Sequence, residues 1–489
     1  MTDGSATAVV ILAAGQGTRM KSATPKMLHG IGGRTMLEHA LYAAHGLNPE
    51  QIAVVVGHQR EKVITAIGEW VEKSGRTEGV GIAHQDEQNG TGHAVQCAFT
   101  NADLAEFEGT ILVTTSDVPL LDAETLQALL TEHNRKPRAA VTVLTSTADN
   151  PTGYGRIIRN SDGEVLRIVE EKDANDDERQ VTEVNSGVYA FDAATLRDAL
   201  TKLNTDNAQG ELYLTDVIGI AREANRSVRG HRLSDPMVVA GANDRVQLAA
   251  LGKELNRRIC EKHMRNGASI IDPASTWIDV DVAIERDVTI YPGTQLYGKT
   301  VVKEGAEVGP DTTLTNMVIG EGATVVRAHG SDSEIGANAN VGPFTYIRPN
   351  TKLGEDGKLG GFVETKNAQI GRGSKVPHLT YVGDAEIGEQ SNIGASSVFV
   401  NYDGVNKHRT KIGNHVRTGS DTMFIAPVEV GDGAYSGAGT VIKDNVPPGA
   451  LAVSGGRQRN IEGWVEQKRP GTPAANAAKA AQEKNDQEG

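Results

Sequence analysis

Cysteine is almost missing: two in 489 residues, Cys97 and Cys260, far apart in the chain. They support neither a disulfide framework nor a zinc-ligand spacing, and a reducing cytoplasm is the simplest reading. Aromatics reach only 4%, and 49 basic residues face 63 acidic ones, for a net charge of −14. That balance excludes a general surface for nucleic acid or anionic membrane, although Lys and Arg gathered locally can still hold phosphate. No apolar run is long enough to span a bilayer. Residues 6–14 are apolar but short, with no basic stretch before them, so they read as a buried strand rather than a signal peptide. No Gly-x-Ser-x-Gly occurs, which leaves a serine-hydrolase elbow without support.

Glycine, in contrast, is abundant, with 56 residues. Alongside it runs a six-residue beat of aliphatic side chains. The beat marks Ile284, Ile290, Leu296, Val302, Val308 and Leu314, then Ile335, Val341, Ile347, Leu353 and Leu359. It returns at Ile370, Val376 and Val382, and again at Ile387, Ile393 and Phe399, and the stretch closes near Ile442. Helices repeat near 3.6 residues and strands at two, so six suits neither alone. It suits a parallel β-helix, in which each short strand turns one side chain inward and a corner follows. Six residues per face make about nine coils, roughly 40 Å long at a ~4.8 Å rung spacing. Glycines follow the beat at 336, 342, 354, 371, 388 and 394. They are expected to supply the backbone angles of the corners.

The N-terminal half has another grammar. The run Val9-Val10-Ile11-Leu12 reads as a buried parallel strand, with further strands near 52–56, 80–84, 111–114 and 140–144. Helix-compatible segments lie between them, so this half is an α/β domain with a mostly parallel, Rossmann-like sheet. Ligands of such sheets bind beyond the carboxyl ends of the strands. The turn Ala13-Ala14-Gly15-Gln16-Gly17-Thr18-Arg19-Met20 and the pair Ser116-Asp117 fall there. The turn is neither a P-loop, lacking Gly-Lys-Ser/Thr, nor the dinucleotide fingerprint, because Met20 follows Gly15 by five. It can still cradle phosphate through backbone N–H groups, with Arg19 and Lys26 offsetting charge. On residue type alone, Asp117 before Pro119 reads equally as a turn or cap residue, Asn243 as a cap, and His378 as structural.

The ordered set of motifs resembles the sugar-nucleotide pyrophosphorylases. It comprises Leu12 to Met20 with Pro25-Lys26, Gln85, Asn89-Gly90-Thr91-Gly92-His93-Ala94 and Ser116-Asp117-Val118-Pro119-Leu120. Gly153-Tyr154-Gly155-Arg156, Val169-Glu170-Glu171-Lys172-Asp173 and Asn185-Ser186-Gly187 complete it. With the hexads, nearly the whole chain resembles the bifunctional uridyltransferase–acetyltransferase family. That family forms UDP-N-acetylglucosamine from glucosamine 1-phosphate, acetyl-CoA and UTP. The resemblance implies a uridylyltransferase domain over 1–242, a helical arm over 243–267 and a left-handed β-helix acetyltransferase domain over 268–460. The segment 461–489, rich in Ala, Gln and Lys, is expected to be largely disordered. A homotrimer, with no nucleic-acid or membrane partner, is also implied.

The same resemblance distributes the sites. Leu12, Ala14, Gly15, Gln85, Gly90 and Thr91 are to surround the uridine, and Gly155, Glu170, Asn185 and Ser186 the amino sugar. Arg19 and Lys26 are to offset phosphate charge, and Asp117 and Asn243 to ligate Mg²⁺, whose remaining sites water and phosphate fill. In the β-helix, Arg348, Lys366, Tyr381, Asn392 and Lys407 are to hold glucosamine 1-phosphate, with His378 as general base. Ala395, Ser420 and Ala438 are to line acetyl-CoA. Gly455 stands where the family can carry a basic residue for the CoA phosphates, which leaves Arg457 or Arg459 to substitute. The beat fails through 360–366 and 400–411, and the charged stretch 401–409 is expected to loop out. Without the resemblance two other readings stand: a one-reaction pyrophosphorylase with a structural β-helix, and a non-catalytic nucleotide-sensing scaffold.

Overall fold

A computed structural model describes residues 6–76, 78–102, 104–456 and 458–488, the side chains of 486–488 excepted. Two compact units emerge, one of residues 1–304 with 313–316 and the other of 305–312 with 317–489.

The first unit is built on a nine-stranded sheet. Its main path runs Val228–Arg232, Val141–Thr147, Glu183–Asp192, Thr110–Thr115, Thr7–Ala13, Gln51–Val56, Val80–His84. Thr7–Ala13 pairs in parallel with both neighbours, whereas Glu183–Asp192 runs antiparallel to Thr110–Thr115 and Val141–Thr147. The apolar run at 9–12 exists because both faces of its strand are covered. Ala8 and Val10 enter one core cluster, and Val9, Ile11 and Ala13 the other. Arg156–Arg159 and Val165–Val169 add an antiparallel hairpin at one end.

The helix Arg245–Arg265 is capped by Asp244, whose side chain accepts from Gln247 N. Leu251, Ile259 and Cys260 face inward, whereas Val246 is 80% exposed. In the first turn of the helix, position 246 lies outside the cluster that takes Leu251. The first hexapeptide coils belong to this unit: Trp277–Ile278 pairs with Gln295 and Leu296, and Ala283–Ile284 with Val301–Val302.

In the second unit the coils stack as parallel columns of short strands. One column carries Ile319, Ile335, Leu353, Ile370, Ile387, Ile412 and Val430 inward. Another carries Val308, Val325, Val341, Leu359 and Val376. A third includes Phe399 stacked on Phe424, ring centroids 4.6 Å apart. The architecture is a left-handed β-helix, as the resemblance implies. Each inward aliphatic is buried, worth roughly 1.5–3 kcal/mol.

Two features differ from the sequence-based expectation. Glycines 336, 354, 371, 388 and 394 have ordinary backbone angles; of the six, only Gly342 has a positive φ, 107°. Their role is close approach: a Cβ on Gly336 would lie 2.6 Å from Glu355 N, and one on Gly354 2.7 Å from Arg372 N. Asn338, Asn350, Asp356 and Asn367 are among the residues that take the left-handed angles instead. The tail also departs from disorder, forming helices Trp464–Lys468 and Pro473–Glu488. Its alanines are strong helix formers that need no core to adopt the conformation.

One register break falls just beyond the expected stretch and the other within it. The beat continues through 360–365, with buried Thr365 in the inward place and paired with Ile347, and the coil loses one residue between Thr365 and Ile370, so that Leu353 pairs with Ile370. At 401–409 the coil lengthens: Val398 pairs forward with Met423, and the added residues project as a loop.

Candidate functional site

Sites in the two units are described separately. In the first, the loop after Thr7–Ala13 turns through Gly17, whose φ is 60° and whose missing Cβ leaves room for the Lys26 side chain. Lys26 Nζ thereby reaches Asp117 Oδ2 at 2.5 Å and Asn243 Oδ1 at 2.8 Å. Arg19 Nη2 donates to the same Asn243 oxygen at 2.9 Å. Four of the anticipated residues, from three distant stretches, thus share one point. Ala242 N donates to Asp117 O at 3.0 Å, which sets the spacing between the two chain segments.

The oxygens of Asp117 and Asn243 converge on a cation, here the lysine ammonium, so the donor set fits a hard divalent ion. Among the described residues no group of three or more His, Cys, Asp or Glu gathers. A metal at Asp117 and Asn243 therefore has to complete its sphere with water and substrate oxygens.

Of the residues expected around the uridine, Ala14 is buried, while Gly15 faces open space. Gln85 is buried and donates through Nε2 to Gly90 O at 3.0 Å, and Gln88 Nε2 donates to Ala14 O at 2.8 Å. Gly90 precedes the helix Thr91–Asn101, and Thr91 Oγ1 accepts from Leu214 N at 3.1 Å. Gln16, Gly57, Gln85 and Gln88 help line a cavity of about 470 Å³. Leu12 sits half-buried at the strand end.

Of the residues expected around the amino sugar, Gly155, Glu170 and Asn185 are neighbours: a Cβ on Gly155 would stand 3.5 Å from both Asn185 Cβ and Glu170 Oε1. Burial pushes the Glu170 carboxyl above its usual range, against a 3.2 Å hydrogen bond from Thr215 Oγ1. Asn185 Nδ2 donates to the buried Tyr189 hydroxyl at 2.7 Å. Ser186 Oγ instead donates to Leu144 O at 2.6 Å, a bond internal to the sheet. Tyr189 and Thr215 were not legible as partners, since nothing in their local sequence marks them.

In the second unit, Arg348, Lys366 and Tyr381 lie on adjacent coils. Tyr346 pairs with Glu364, which pairs with Tyr381, and Lys366 pairs with Gly383. Gly383 has no Cβ to oppose the Tyr381 ring lying over it. Lys366 contacts Lys407, and that contact, with the charges of Lys407 and Arg348, pulls Lys366 below the usual lysine range; Asp384 opposes the shift. Arg348 Nη1 pairs with Glu364 Oε1 at 2.9 Å.

The loop carrying Lys407 is held by its own groups. Asp403 accepts from Asn406 N at 2.6 Å, from His408 Nε2 at 2.6 Å and from Val405 N at 2.8 Å. The Asn406 N–H first, then His408, hold its carboxyl down at about 2. Asn401 Nδ2 ties the loop's start to Asp384 Oδ2 at 2.6 Å.

His378 is exposed at the end of Lys375–His378, its ring without a hydrogen-bond partner among the described residues and its carbonyl accepting from Thr380 Oγ1 at 2.6 Å. Asn392 is placed differently from the other residues expected to hold the sugar phosphate, bridging Lys375 and Arg417 on another column of strands. Ala395, Ser420 and Ala438 form one ladder: Asp421 N donates to Ala395 O and Gly439 N to Ser420 O, each at 2.8 Å. Arg457 lies outside the described residues. Arg459 is exposed, and Gly455 is open with φ 140°. A groove of about 1220 Å³ beside Gly336, Gly354 and Gly371 involves none of these residues.

This combination defines a class: a nucleotidyltransferase joined in one chain to a hexapeptide-repeat acyltransferase. Residues 9–188 match the MobA-like NTP transferase domain family. Three curated relatives carry the name "Bifunctional protein GlmU". That of Corynebacterium efficiens is 69% identical over 98% of this chain and 97% of its own. That of Corynebacterium diphtheriae is 63% identical over the full length of both. That of Rhodococcus opacus is 64% identical over 97% of this chain and 95% of its own. The chain belongs to the bifunctional GlmU family. It is an enzyme of UDP-N-acetylglucosamine synthesis, combining acetyl transfer from acetyl-CoA to glucosamine 1-phosphate with uridylyl transfer from UTP.

Proposed function

We propose that residues 1–242 carry the uridylyl transfer and 268–460 the acetyl transfer. The observation that carries the first assignment is the meeting of Lys26, Arg19, Asp117 and Asn243 at one point. No protein nucleophile is needed. An oxygen of the sugar phosphate attacks the α-phosphorus of UTP, the new P–O bond forms, and pyrophosphate leaves with the electrons of the broken one. Arg19 and Lys26 hold the phosphates in line and offset their charge. Gln85, Gly90 and Thr91 seat the base, and Gly155, Glu170 and Asn185 the amino sugar. Mg²⁺ is the fitting ion for Asp117 and Asn243, and supplies charge neutralisation when bound.

In the β-helix, Arg348, Lys366 and Lys407 hold the phosphate of glucosamine 1-phosphate, with Tyr381 beside them. His378 takes a proton from the substrate ammonium. As the freed amine attacks the thioester carbonyl, the C–S bond breaks and the departing thiolate takes the proton from His378, which then accepts the second N–H proton of the new amide and releases it to solvent. Asn392 orients the amine or the carbonyl, and acetyl-CoA runs along the Ala395–Ser420–Ala438 ladder.

A homotrimer is supported by the surface next to His378. Phe344, Phe362 and Leu379 are 53%, 63% and 58% exposed, with the two Phe rings stacked 5.3 Å apart. Such an exposed apolar ladder supports an interface between subunits. Residue chemistry and the absence, among the described residues, of a helix able to cross a membrane agree with a cytoplasmic enzyme. Two assays on the intact chain test the assignment: thiol release with acetyl-CoA and glucosamine 1-phosphate, and pyrophosphate release with UTP and N-acetylglucosamine 1-phosphate. Failure of either removes that half. Sedimentation of Phe362→Glu tests the interface, and a trimer unchanged by the substitution refutes it.

A further inference from the structure

The uridylyl site has to hold Asn243 against a loop more than 200 positions earlier in the chain, and the grip comes from the first turn of the helix Arg245–Arg265. Gln247 N donates to the capping Asp244 Oδ1 at 2.9 Å, half of a capping box. The reciprocal half is displaced. In an ordinary box the third residue's side chain accepts from the cap residue's own N–H; here Gln247 Oε1 accepts from Asn243 N, one residue earlier, at 2.7 Å. The Asn243 backbone is thereby fixed, and its side-chain oxygen is left facing Arg19 and Lys26. On the same turn, Arg245 Nε donates to Met20 O at 3.2 Å. Met20 is the buried anchor of the loop, clustered with Ile31, Met36, Leu120, Ala242 and Leu251.

We propose that Gln247 and Arg245 are positioning residues for uridylyl transfer, Gln247 aiming Asn243 and Arg245 docking the Arg19 loop. The inference rests on the reading of Asn243 as a cation ligand. A ligand whose supporting hydrogen bond is lost binds its cation roughly tenfold more weakly. Loss of the loop anchor acts elsewhere, on nucleotide binding.

Full-length protein is titrated with Mn²⁺ and free ion is followed by EPR. Asn243→Ala weakens binding more than about tenfold; binding unchanged in that variant overturns the ligand reading itself. Gln247→Met, of similar volume but with no acceptor, weakens Mn²⁺ binding about five- to tenfold, and Gln247→Glu, which keeps the acceptor, restores at least half of it. A weak Asn243→Ala beside an unaffected Gln247→Met overturns the role of Gln247 alone, as does a Gln247→Glu no better than Gln247→Met. Arg245→Met raises the KM for UTP about fivefold with Mn²⁺ affinity kept, and Arg245→Lys recovers part of it. A KM for UTP left unchanged by Arg245→Met overturns the role of Arg245. Acetyl transfer, measured on the same samples, stays at the native rate in every variant; its loss together with thermal stability marks misfolding, which circular dichroism detects.

Discussion

In the α/β sheet, Lys26 already holds two oxygens, those of Asp117 and Asn243. In the β-helix, Lys366 lies against Lys407, and among the described residues neither pairs with a carboxylate. Both sites are read as phosphate sites, yet their resting electrostatics are opposite. The first is assembled from side chains that satisfy one another, so ligands enter by exchanging partners. The second gathers like charges, and in the proposed reading a phosphate dianion relieves their repulsion. A site of the first kind depends on each partner keeping its place, whereas the second depends on the ligand to complete it.

The largest expected effect separates the two reactions. Asp117→Ala lowers uridylyl transfer by about a thousandfold, because developing phosphate charge loses its counter-ion, and leaves acetyl transfer at the native rate. Pyrophosphate and thiol release assays on one preparation measure both; loss of both activities breaks the separation. His378→Ala does the reverse, lowering thiol release about a hundredfold, and an unchanged rate removes it as the base.

Lys407→Ala sharpens the contrast at the second site. It raises the KM for glucosamine 1-phosphate about tenfold near neutral pH by removing a charge-assisted contact. It also changes the pH profile. In the free site Lys366 is depressed, and bound phosphate favours its charged form, so affinity falls as pH rises through the lowered value. Without Lys407 that fall moves to higher pH; a KM–pH profile that keeps its alkaline limb contradicts the repulsion.

The smallest effect tests mutual pairing inside the first unit. Glu183 is buried, which raises its pKa, but hydrogen bonds from Arg159, Arg232 and Thr145 outweigh burial and hold it at about 2. Its contribution to stability is present above the unfolded value near 4.5 and is lost as pH falls toward about 2. Arg159→Leu raises the acid-unfolding midpoint by up to about one pH unit, read by circular dichroism. An unmoved midpoint shows that Arg232 alone suffices.

Much of this was legible in the chain. The six-residue beat placed the coils because one inward side chain per face is a local, repeating demand. A second beat lay in view unread: a hydroxyl residue stands two positions before many inward apolar residues, as at Thr300, Ser397, Thr422 and Thr440. Each closes a corner by donating to the carbonyl three residues earlier at 2.7 Å. The purpose of the corner glycines was misread because angle and crowding leave the same letter in a sequence. Only the stacked coils show a carbonyl or amide where a Cβ would stand.

The sequence by itself determined what repeats or stays local: the α/β alternation, the hexads, the inserted loop and the motif order that marks the family. Tertiary structure decided what depends on convergence. That Lys26, Asp117 and Asn243 meet, that Gln247 reaches back past its cap to Asn243, and that Lys366 faces Lys407 are consequences of packing between distant segments. A hydrogen bond or a repulsion acts over a few ångströms of space, and separation along the chain carries no record of it.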